Sequence, residues 1–227
     1  IVTFVYENGV QHGTYTVKQG TLTITANTLI LSYGEEIKFG AADEAVTAEG
    51  LPVGSSLSDL IASGVISGVL SVLDGSDGAY GEYAGMGLPY GYGDDIFDSD
   101  GNRINYIVIP TGLASSSYNI VFKPGKLMIE PKSIVVNLDG KSSVYGEQDK
   151  ALTASVADGA LVNYDPDTQT VADFLAISGL KREEGTDAGS YAITAEGCGN
   201  KNYRVTFVNG VYTITPYEVT LIWSSGK

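Results

Sequence analysis

The sequence of 227 residues has few of the side chains that most catalytic and metal sites use. It contains one cysteine, Cys198, and one histidine, His12, which lies near the other end of the chain. A single cysteine forms no internal disulfide, and a catalytic thiol would need a base beside it. Cys198 lies in the stretch EGCGN, which predicts a turn, so we interpret it as an incidental thiol. The sequence shows no histidine-based triad, phosphate-binding loop or zinc set, and we predict that it is not an enzyme.

Basic residues are also scarce. The chain has 13 Lys and Arg residues against 27 Asp and Glu residues, which gives a formal net charge of −14. This charge repels polyanions, so it argues against nucleic acid and against an anionic membrane surface as partners. The expected partners are therefore neutral or basic, or the chain has none.

Long hydrophobic runs are absent as well. The most apolar stretch, residues 60–73, is too short and too rich in glycine and serine to span a bilayer, so we expect no membrane insertion. The chain opens on the strand-like IVTFVYENG, without the pattern of a signal peptide. We expect it to be a segment of a longer protein.

The sequence does contain internal repeats. Residues 117–138 align with residues 202–223 at a constant offset of 85 (210 − 125), which matches Gly125 to Gly210. Alternating apolar residues flank KPG in the first segment and VNG in the second, and predict a β-hairpin in each, with the glycine at a positive φ. A proline then ends each closing strand.

A related pattern occurs at the N-terminus, where GTLTITA resembles the later GVYTITP. Arrays of repeats usually serve as spacers or extended binding surfaces. We predict four segments: residues 1–26 as the C-terminal hairpin of a preceding or truncated repeat, 27–131 as the first full repeat, 132–216 as the second, and 217–227 as the first strand of a following unit or a tail.

Each full repeat is predicted to be mostly strand with one short helix. The helices are expected around residues 57–63 and 168–176, where Asp167 or Thr168 could cap the second. Strands, one helix and more strands describe a small α+β unit in which a sheet wraps on a helix.

Three stretches resemble the MBG-type repeats, the YGX class, of bacterial surface adhesins. They are VYGEQDKALT (residues 144–153), GTDAGSYAIT (185–194) and NYRVTFVNGVYTITP (202–216). The second repeat matches over nearly its whole length. The first matches at both ends, has FGAAD (residues 39–43) in place of YGxxD, and carries an insertion.

The resemblance implies tandem β-grasp-like units arranged end to end, with Ig-like β-sandwich repeats as the alternative fold. It also implies an extracellular segment of a secreted or anchored bacterial surface protein, and we expect this segment to be monomeric. We expect this segment to act mainly as a spacer that is in contact with neighbouring repeats of the same chain. The alternative function is an adhesin module for a host glycan or glycoprotein.

The insertion covers about residues 74–103 and separates two scaffold strands, so we expect the fold not to depend on it. Tyrosine offers a flat ring and a hydroxyl, which suit sugar faces and protein contacts. The favoured interpretation is a self-packed loop whose tyrosines cover neighbouring strands. The candidate ligand-binding residues of the alternative are Tyr80, Tyr83, Tyr90 and Tyr92.

Calcium is the one cofactor that the insertion suggests. Asp98, Asp100 and Asn102 stand at alternate positions, as in an EF-hand loop, but Gly101 comes too early and the twelfth position is Ile109. A hairpin turn at DG explains the stretch better, so we expect no cofactor. Paired carboxylates would fit a carbohydrate-active enzyme. This is the least favoured function, because acidic residues are so numerous that some pairs lie close together by chance.

Overall fold

The structure is a computed structural model that describes residues 18–74, 83 and 85–223, and the backbone alone of residues 2–7 and 10–15. As predicted, the fold is mostly β, and it consists of several small sheets. The chain divides into two compact units. Unit 1 comprises Ile1–Leu31, Glu36–Tyr92 and Ile104–Met128, and unit 2 comprises Ser32–Glu35, Gly93–Arg103 and Ile129–Lys227.

The first half of the described chain contains two short helices and a series of strands, of which β4 and β10 each cross the boundary of unit 1. The elements are β1 (Val2–Glu7), β2 (Val10–Tyr15), β3 (Gly20–Ala26), β4 (Leu29–Ser32), α1 (Ala42–Ala45), β5 (Val46–Glu49), α2 (Leu57–Ala62), β6 (Ser67–Val72), β7 (Tyr106–Val108), β8 (Pro110–Ala114), β9 (Tyr118–Lys123) and β10 (Gly125–Glu130).

The elements that follow β10 all belong to unit 2. They are β11 (Lys132–Leu138), β12 (Lys141–Val144), β13 (Ala154–Ser155), α3 (Val171–Phe174), β14 (Ile177–Ser178), β15 (Lys181–Arg182), β16 (Gly189–Thr194), β17 (Gly197–Cys198), β18 (Tyr203–Val208) and β19 (Gly210–Thr215).

The same sheet topology occurs twice. The order β5-β3-β9 is matched by β13-β11-β18, and in both sheets the central strand runs parallel to its later partner and antiparallel to the other. The order β4-β10-β7 is matched by β12-β19-β16-β15. The sheets of an Ig-like sandwich are antiparallel, so these parallel pairs do not fit that alternative fold. Three two-stranded pairs, β1-β2, β6-β8 and β14-β17, complete the described sheets.

The strand pairing gives residues 20–26 a different place from the one that the sequence suggests. Strand β3 precedes its counterpart β11 by 112 residues (132 − 20), whereas β9 precedes β18 by 85 (203 − 118). Strand β3 therefore opens the first repeat and has the pairing of β11, instead of closing an earlier repeat. The difference of 27 residues (112 − 85) is the net length of the insertion.

The two predicted hairpins are wrong. Strands β9 and β10 lie in different sheets, and so do β18 and β19, so the chain turns a corner at Gly125 and again at Gly210. Neither glycine has a positive φ. Glycine is needed for close approach instead, because a Cβ at Gly125 would lie 2.3 Å from the oxygen of Ala26, and one at Gly210 would lie 2.2 Å from that of Leu138.

The helices lie where the sequence predicts them. Helix α2 begins after Ser56, which forms a capping box with Asp59, and α3 begins after Thr170, whose hydroxyl accepts a hydrogen bond from the Asp173 N–H. The cap of α3 is thus Thr170 and not the predicted Asp167 or Thr168. Helix α1 is an additional element, which the sequence pattern did not predict.

Apolar residues at alternate strand positions, on helix α2 and in connecting segments fill a core in each unit. In unit 1 the main buried cluster is Leu22, Ile24, Val46, Leu57, Leu60, Ile66 and Leu113. Buried residues of unit 2 include Ile134, Val136, Leu138, Val162, Leu175, Ile193, Tyr212 and Ile214.

A turn with the sequence YGE follows both β4 and β12, at residues 33–35 and 145–147. In each turn the glycine has a positive φ, 85° and 86°, and the glutamate accepts a hydrogen bond from the N–H of the last strand residue, at 2.7 Å and 3.0 Å. The counterpart of YGEQD in the first repeat is therefore YGEEI, with Ile37 in the place of Asp149, and not FGAAD at residues 39–43.

Candidate functional site

The second part of the insertion is built into unit 2. Ile96 is 1% exposed, and Phe97 forms an antiparallel bridge with Arg103. The Arg103 guanidinium also donates to the carbonyl of Ile129 and forms an ion pair with Glu130 at 3.3 Å. The expectation that the fold does not depend on the insertion is thus wrong for the segment that contains Ile96, because a fully buried isoleucine belongs to a core.

Asn202 holds this segment through both ends of its buried amide. Its Oδ1 accepts a hydrogen bond from the N–H of Ile96 at 3.2 Å, and its Nδ2 donates to Oδ1 of Asp95 at 2.7 Å. The neighbouring Asn200 accepts from the N–H of Asn202 and donates to the carbonyl of Phe174. Two amide side chains therefore position both the segment and the end of α3.

Lys201 contacts the tip of the same segment. Its Nζ donates to the carbonyl oxygen of Gly101 at 3.3 Å and lies 5.8 Å from the centre of the Phe97 ring. That distance is within the range of a cation–π interaction. The cation thus faces both an aromatic ring and a carbonyl oxygen.

These contacts border an open cavity of about 420 Å³ in unit 2. Its wall combines two phenylalanine side chains with carboxylate, amide and ammonium groups, so it offers both apolar and hydrogen-bonding surface. The lining residues are Asp95, Phe97, Asp98, Ser99, Gly101, Phe174, Ala176, Gly199, Asn200, Lys201 and Asn202.

The carboxylate of Asp98, the first of the predicted calcium ligands, closes a turn. Its Oδ1 accepts hydrogen bonds from the N–H groups of Asp100, at 3.0 Å, and Asn102, at 2.8 Å, and its Oδ2 accepts one from the Asn102 amide. The backbone hydrogen bond from Asn102 is the main reason why the pKa of Asp98 lies below its ordinary value. Among the residues that the structure describes, no group of three or more His, Cys, Asp or Glu side chains could hold a metal ion.

Of the predicted tyrosines, the three that the structure describes do not line this cavity. Tyr83 is half-buried and packs against Ile107 and Ile109, and Tyr90 is only 2% exposed and meets the Tyr106 ring edge-on at 5.8 Å. Tyr92 is 66% exposed and so has most of its ring available to a ligand. Tyr80 lies outside the described residues.

Apart from Asp98, the residues around the cavity are not among the sequence-based candidates, which were chosen as tyrosines and alternating calcium ligands. The apolar pair Ile96 and Phe97 inside the acidic stretch DDIFDSD was the available signal, since apolar residues in such a stretch indicate burial. Nothing local in the sequence connects that stretch with Lys201 or Asn202.

Arg182 lies in a second polar cluster of unit 2. Its Nε donates to Asp149 at 2.6 Å, and its guanidinium carbon lies 5.1 Å from the centre of the Tyr191 ring and 5.3 Å from that of Tyr212. The hydrogen bond to Asp149 is the largest cause of a raised pKa for Arg182. The last residue of the YGEQD motif therefore anchors an arginine between two rings.

Cys198 is half-buried in unit 2. Its Sγ lies 3.1 Å from the carbonyl oxygen of Leu175, to which the thiol donates, and burial raises its pKa. A raised pKa leaves less thiolate, which is the nucleophilic form. This environment is that of a structural thiol.

Residues 134–213 match the family model described as MBG domain (YGX type). The match runs from β11 to β19 and so covers the second repeat, as the resemblance predicted. This domain is a repeat of surface, adhesin-like proteins. A search of curated proteins finds no match. Within the described residues, no helix is long and apolar enough to cross a membrane.

Proposed function

We propose that this chain is a non-enzymatic tandem-repeat segment of a bacterial surface protein, and that it acts as a spacer. The observation that carries the proposal is the occurrence of one sheet topology twice, each time with its own buried core. An array gains length by adding units of this kind, and an acidic surface keeps such an array soluble.

The proposal is tested on cells that produce the parent protein. Protease added to intact cells should release peptides of residues 18–223, and their yield should match that from lysed cells. A cytoplasmic protein of the same cells serves as the control for leakage. Release from lysed cells alone would overturn the surface location. Turnover of any glycan by the purified chain would overturn the non-enzymatic role.

The second candidate function is the binding of a host glycan or glycoprotein at the cavity beside Phe97 and Lys201. It is favoured by the aromatic and polar groups that the insertion brings to unit 2. A ring that stacks on a sugar face contributes to affinity in a way that an aliphatic side chain of similar size does not.

A glycan array with the wild-type chain and two variants separates the spacer from the binding module. Phe97→Leu keeps an apolar side chain but removes the ring, and it should weaken glycan binding about tenfold, or ~1.4 kcal/mol. Tyr92→Leu is the matched control, because it removes a ring outside the cavity. If only Tyr92→Leu weakens binding, the site lies at the tyrosines of the insertion. If the wild type binds no glycan, the spacer role alone remains.

A further inference from the structure

The two YGE turns share their hydrogen bonds but differ in exposure. In both, the tyrosine N–H donates to the last residue of the neighbouring strand, Glu130 for Tyr33 and Thr215 for Tyr145, at 2.8 Å. Tyr33 is 4% exposed, whereas Tyr145 is 50% exposed. The same turn is therefore covered in one repeat and open in the other.

The cover over Tyr33 comes from unit 2, to which Ser32–Glu35 belong. The Tyr33 ring meets the Tyr203 ring edge-on at 5.4 Å, and its hydroxyl donates to the carbonyl of Gly93 at 3.3 Å. A Cβ at Gly34 would lie 2.4 Å from Val162, whereas one at Gly146 would meet no atom within 4 Å. The YGE turn that follows β4 is thus part of the core of the unit that comes after it in sequence.

A second observation identifies what could cover Tyr145. Residues 217–223, YEVTLIW, align with β11 at the offset of 85 that relates β10 to β19. Alternate residues of β11 are buried, yet their counterparts are all exposed. The pairs are Ile134 with Val219, Val136 with Leu221, and Leu138 with Trp223. Three exposed apolar residues at strand spacing indicate a strand that lacks the sheet it belongs to.

We propose that Tyr145 and its turn are a docking element for a further repeat of the same kind in the same chain, and that residues 217–223 form the first strand of that repeat. The inference rests on the proposed tandem-repeat role. The Tyr145 ring would lie against the counterpart of Tyr203, and Gly146 would lie against the counterpart of Val162. The charges are compatible with this, because Glu35 and Arg204 line the cavity of about 440 Å³ beside Tyr33, and Glu147 and the counterpart of Arg204 would line its equivalent.

The test extends the natural chain. A copy of residues 139–216 is joined after Trp223, so that residues 217–223 replace β11 in the added repeat. Hydroxyl-radical footprinting then compares Tyr145 in the natural and the extended chain. The modification rate of Tyr145 should fall, but by less than the ratio of the exposures of Tyr145 and Tyr33, 50% to 4%, because the second repeat lacks the insertion whose Gly93 carbonyl accepts from Tyr33. Tyr92 is the internal control, and its rate should stay the same.

A second variant tests the contact itself. Tyr145→Ala in the extended chain should lower the melting temperature of the added repeat, while in the natural chain it should change the melting temperature little. Tyr92→Ala is the control and should change neither protein.

Equal modification of Tyr145 in the two chains would overturn the proposal, and so would an added copy that fails to fold beside an intact Tyr145. Protection of Tyr145 in the natural chain that rises with protein concentration would also overturn it, since the occupant would then be a second copy. None of these results depends on where the parent protein resides or what it binds, so they leave the proposed spacer function to its own test.

Discussion

Gly210 stands at the corner between β18 and β19, where its backbone passes close to the carbonyl of Leu138. Its φ is one that other residues adopt, so the requirement for glycine comes from space alone. Sequence reasoning selected this glycine correctly but for the wrong reason, because a turn between two strands looks the same whether they pair or enter different sheets.

Gly210→Ala should therefore destabilise unit 2 by about 2 kcal/mol, since a Cβ at 2.2 Å from an oxygen forces the backbone to shift. Gly189→Ala is the control, because a Cβ there would meet its nearest atom at 3.9 Å, and its effect should stay within about 0.5 kcal/mol. Urea unfolding of both variants measures the difference. Equal stability of the two would show that the corner has room for a side chain.

Ile96 shows what a single residue of the insertion contributes. It is one of the fully buried side chains, and the Asn202 amide holds its N–H. Ile96→Ala should lower the unfolding free energy of unit 2 by about 2–4 kcal/mol. Met86→Ala, which alters an exposed residue of the same insertion, should cost less than about 0.5 kcal/mol. A small loss for Ile96→Ala would mean that the segment is dispensable, as the sequence alone suggests.

At the scale of the element, the end of β11 carries a polar cluster that differs between the repeats. The Asp139 carboxylate accepts hydrogen bonds from the hydroxyls of Thr153, at 2.5 Å, and Ser155, at 2.7 Å. Asn27 has the same place after β3, where its amide oxygen accepts from Thr47 at 2.8 Å. One repeat thus uses a charged acceptor where the other uses a neutral one.

Asp139 makes the stability of unit 2 depend on pH in the acidic range, whereas Asn27, at the same place in unit 1, does not titrate. Burial raises its pKa, but the hydrogen bonds from Thr153 and Ser155, together with Lys141, lower it more, so the pKa lies below its ordinary value of 3.8. A lowered pKa means that the unfolded chain binds the proton more readily. The stabilisation is therefore present above pH 3.8 and is lost as the pH falls through the pKa of the folded state.

Asp139→Asn should thus flatten the fall in unfolding free energy of unit 2 below about pH 4. The reverse change, Asn27→Asp, should introduce such a fall into unit 1. Unfolding curves recorded across this pH range compare both variants with the wild type. An unchanged acid slope in Asp139→Asn would show that other carboxylates dominate it.

The elements differ in how far the sequence predicts them. Helices α2 and α3 are predictable, because a polar cap and an apolar face are local signals. The pairing of β3 with β9 is not, because alternation shows that a strand has a buried face but not which strand lies beside it. Sequence comparison does not identify the YGE turn at residues 33–35 either, because comparison at a constant offset fails once an insertion changes the spacing between repeats.

The candidate site was predictable only in part. The spacing of acidic residues points to Asp98, which does line the cavity, but as the residue that closes a turn. The chemistry of tyrosine points to Tyr90, which is buried. The cavity depends on Asn202 and Lys201, about a hundred residues away from the segment that they hold, and long-range contacts of this kind leave no local pattern.

At the scale of the whole molecule, two features act together, namely a repeated topology and an excess of negative charge. Acidic residues outnumber basic ones along the chain. Exposed ion pairs such as Lys181–Glu196, at 3.0 Å, contribute little to stability. A net charge of −14 therefore acts against the compact state through self-repulsion. For a spacer this repulsion also limits association between neighbouring molecules on a surface.

Salt should consequently stabilise the chain, since it shortens the range of the repulsion to about 8 Å at physiological ionic strength. We expect the melting temperature to rise when sodium chloride is added to a low-salt buffer. Magnesium and calcium chloride at matched ionic strength provide the control for specific binding. If screening is the cause, the two divalent salts should raise the melting temperature alike. A rise in melting temperature with calcium that magnesium does not reproduce would instead reveal a calcium site. The variant Asp100→Ala would then test whether that site lies at residues 98–102. A melting temperature that falls with salt would contradict the screening argument, because it would mean that attractive ion pairs outweigh the repulsion.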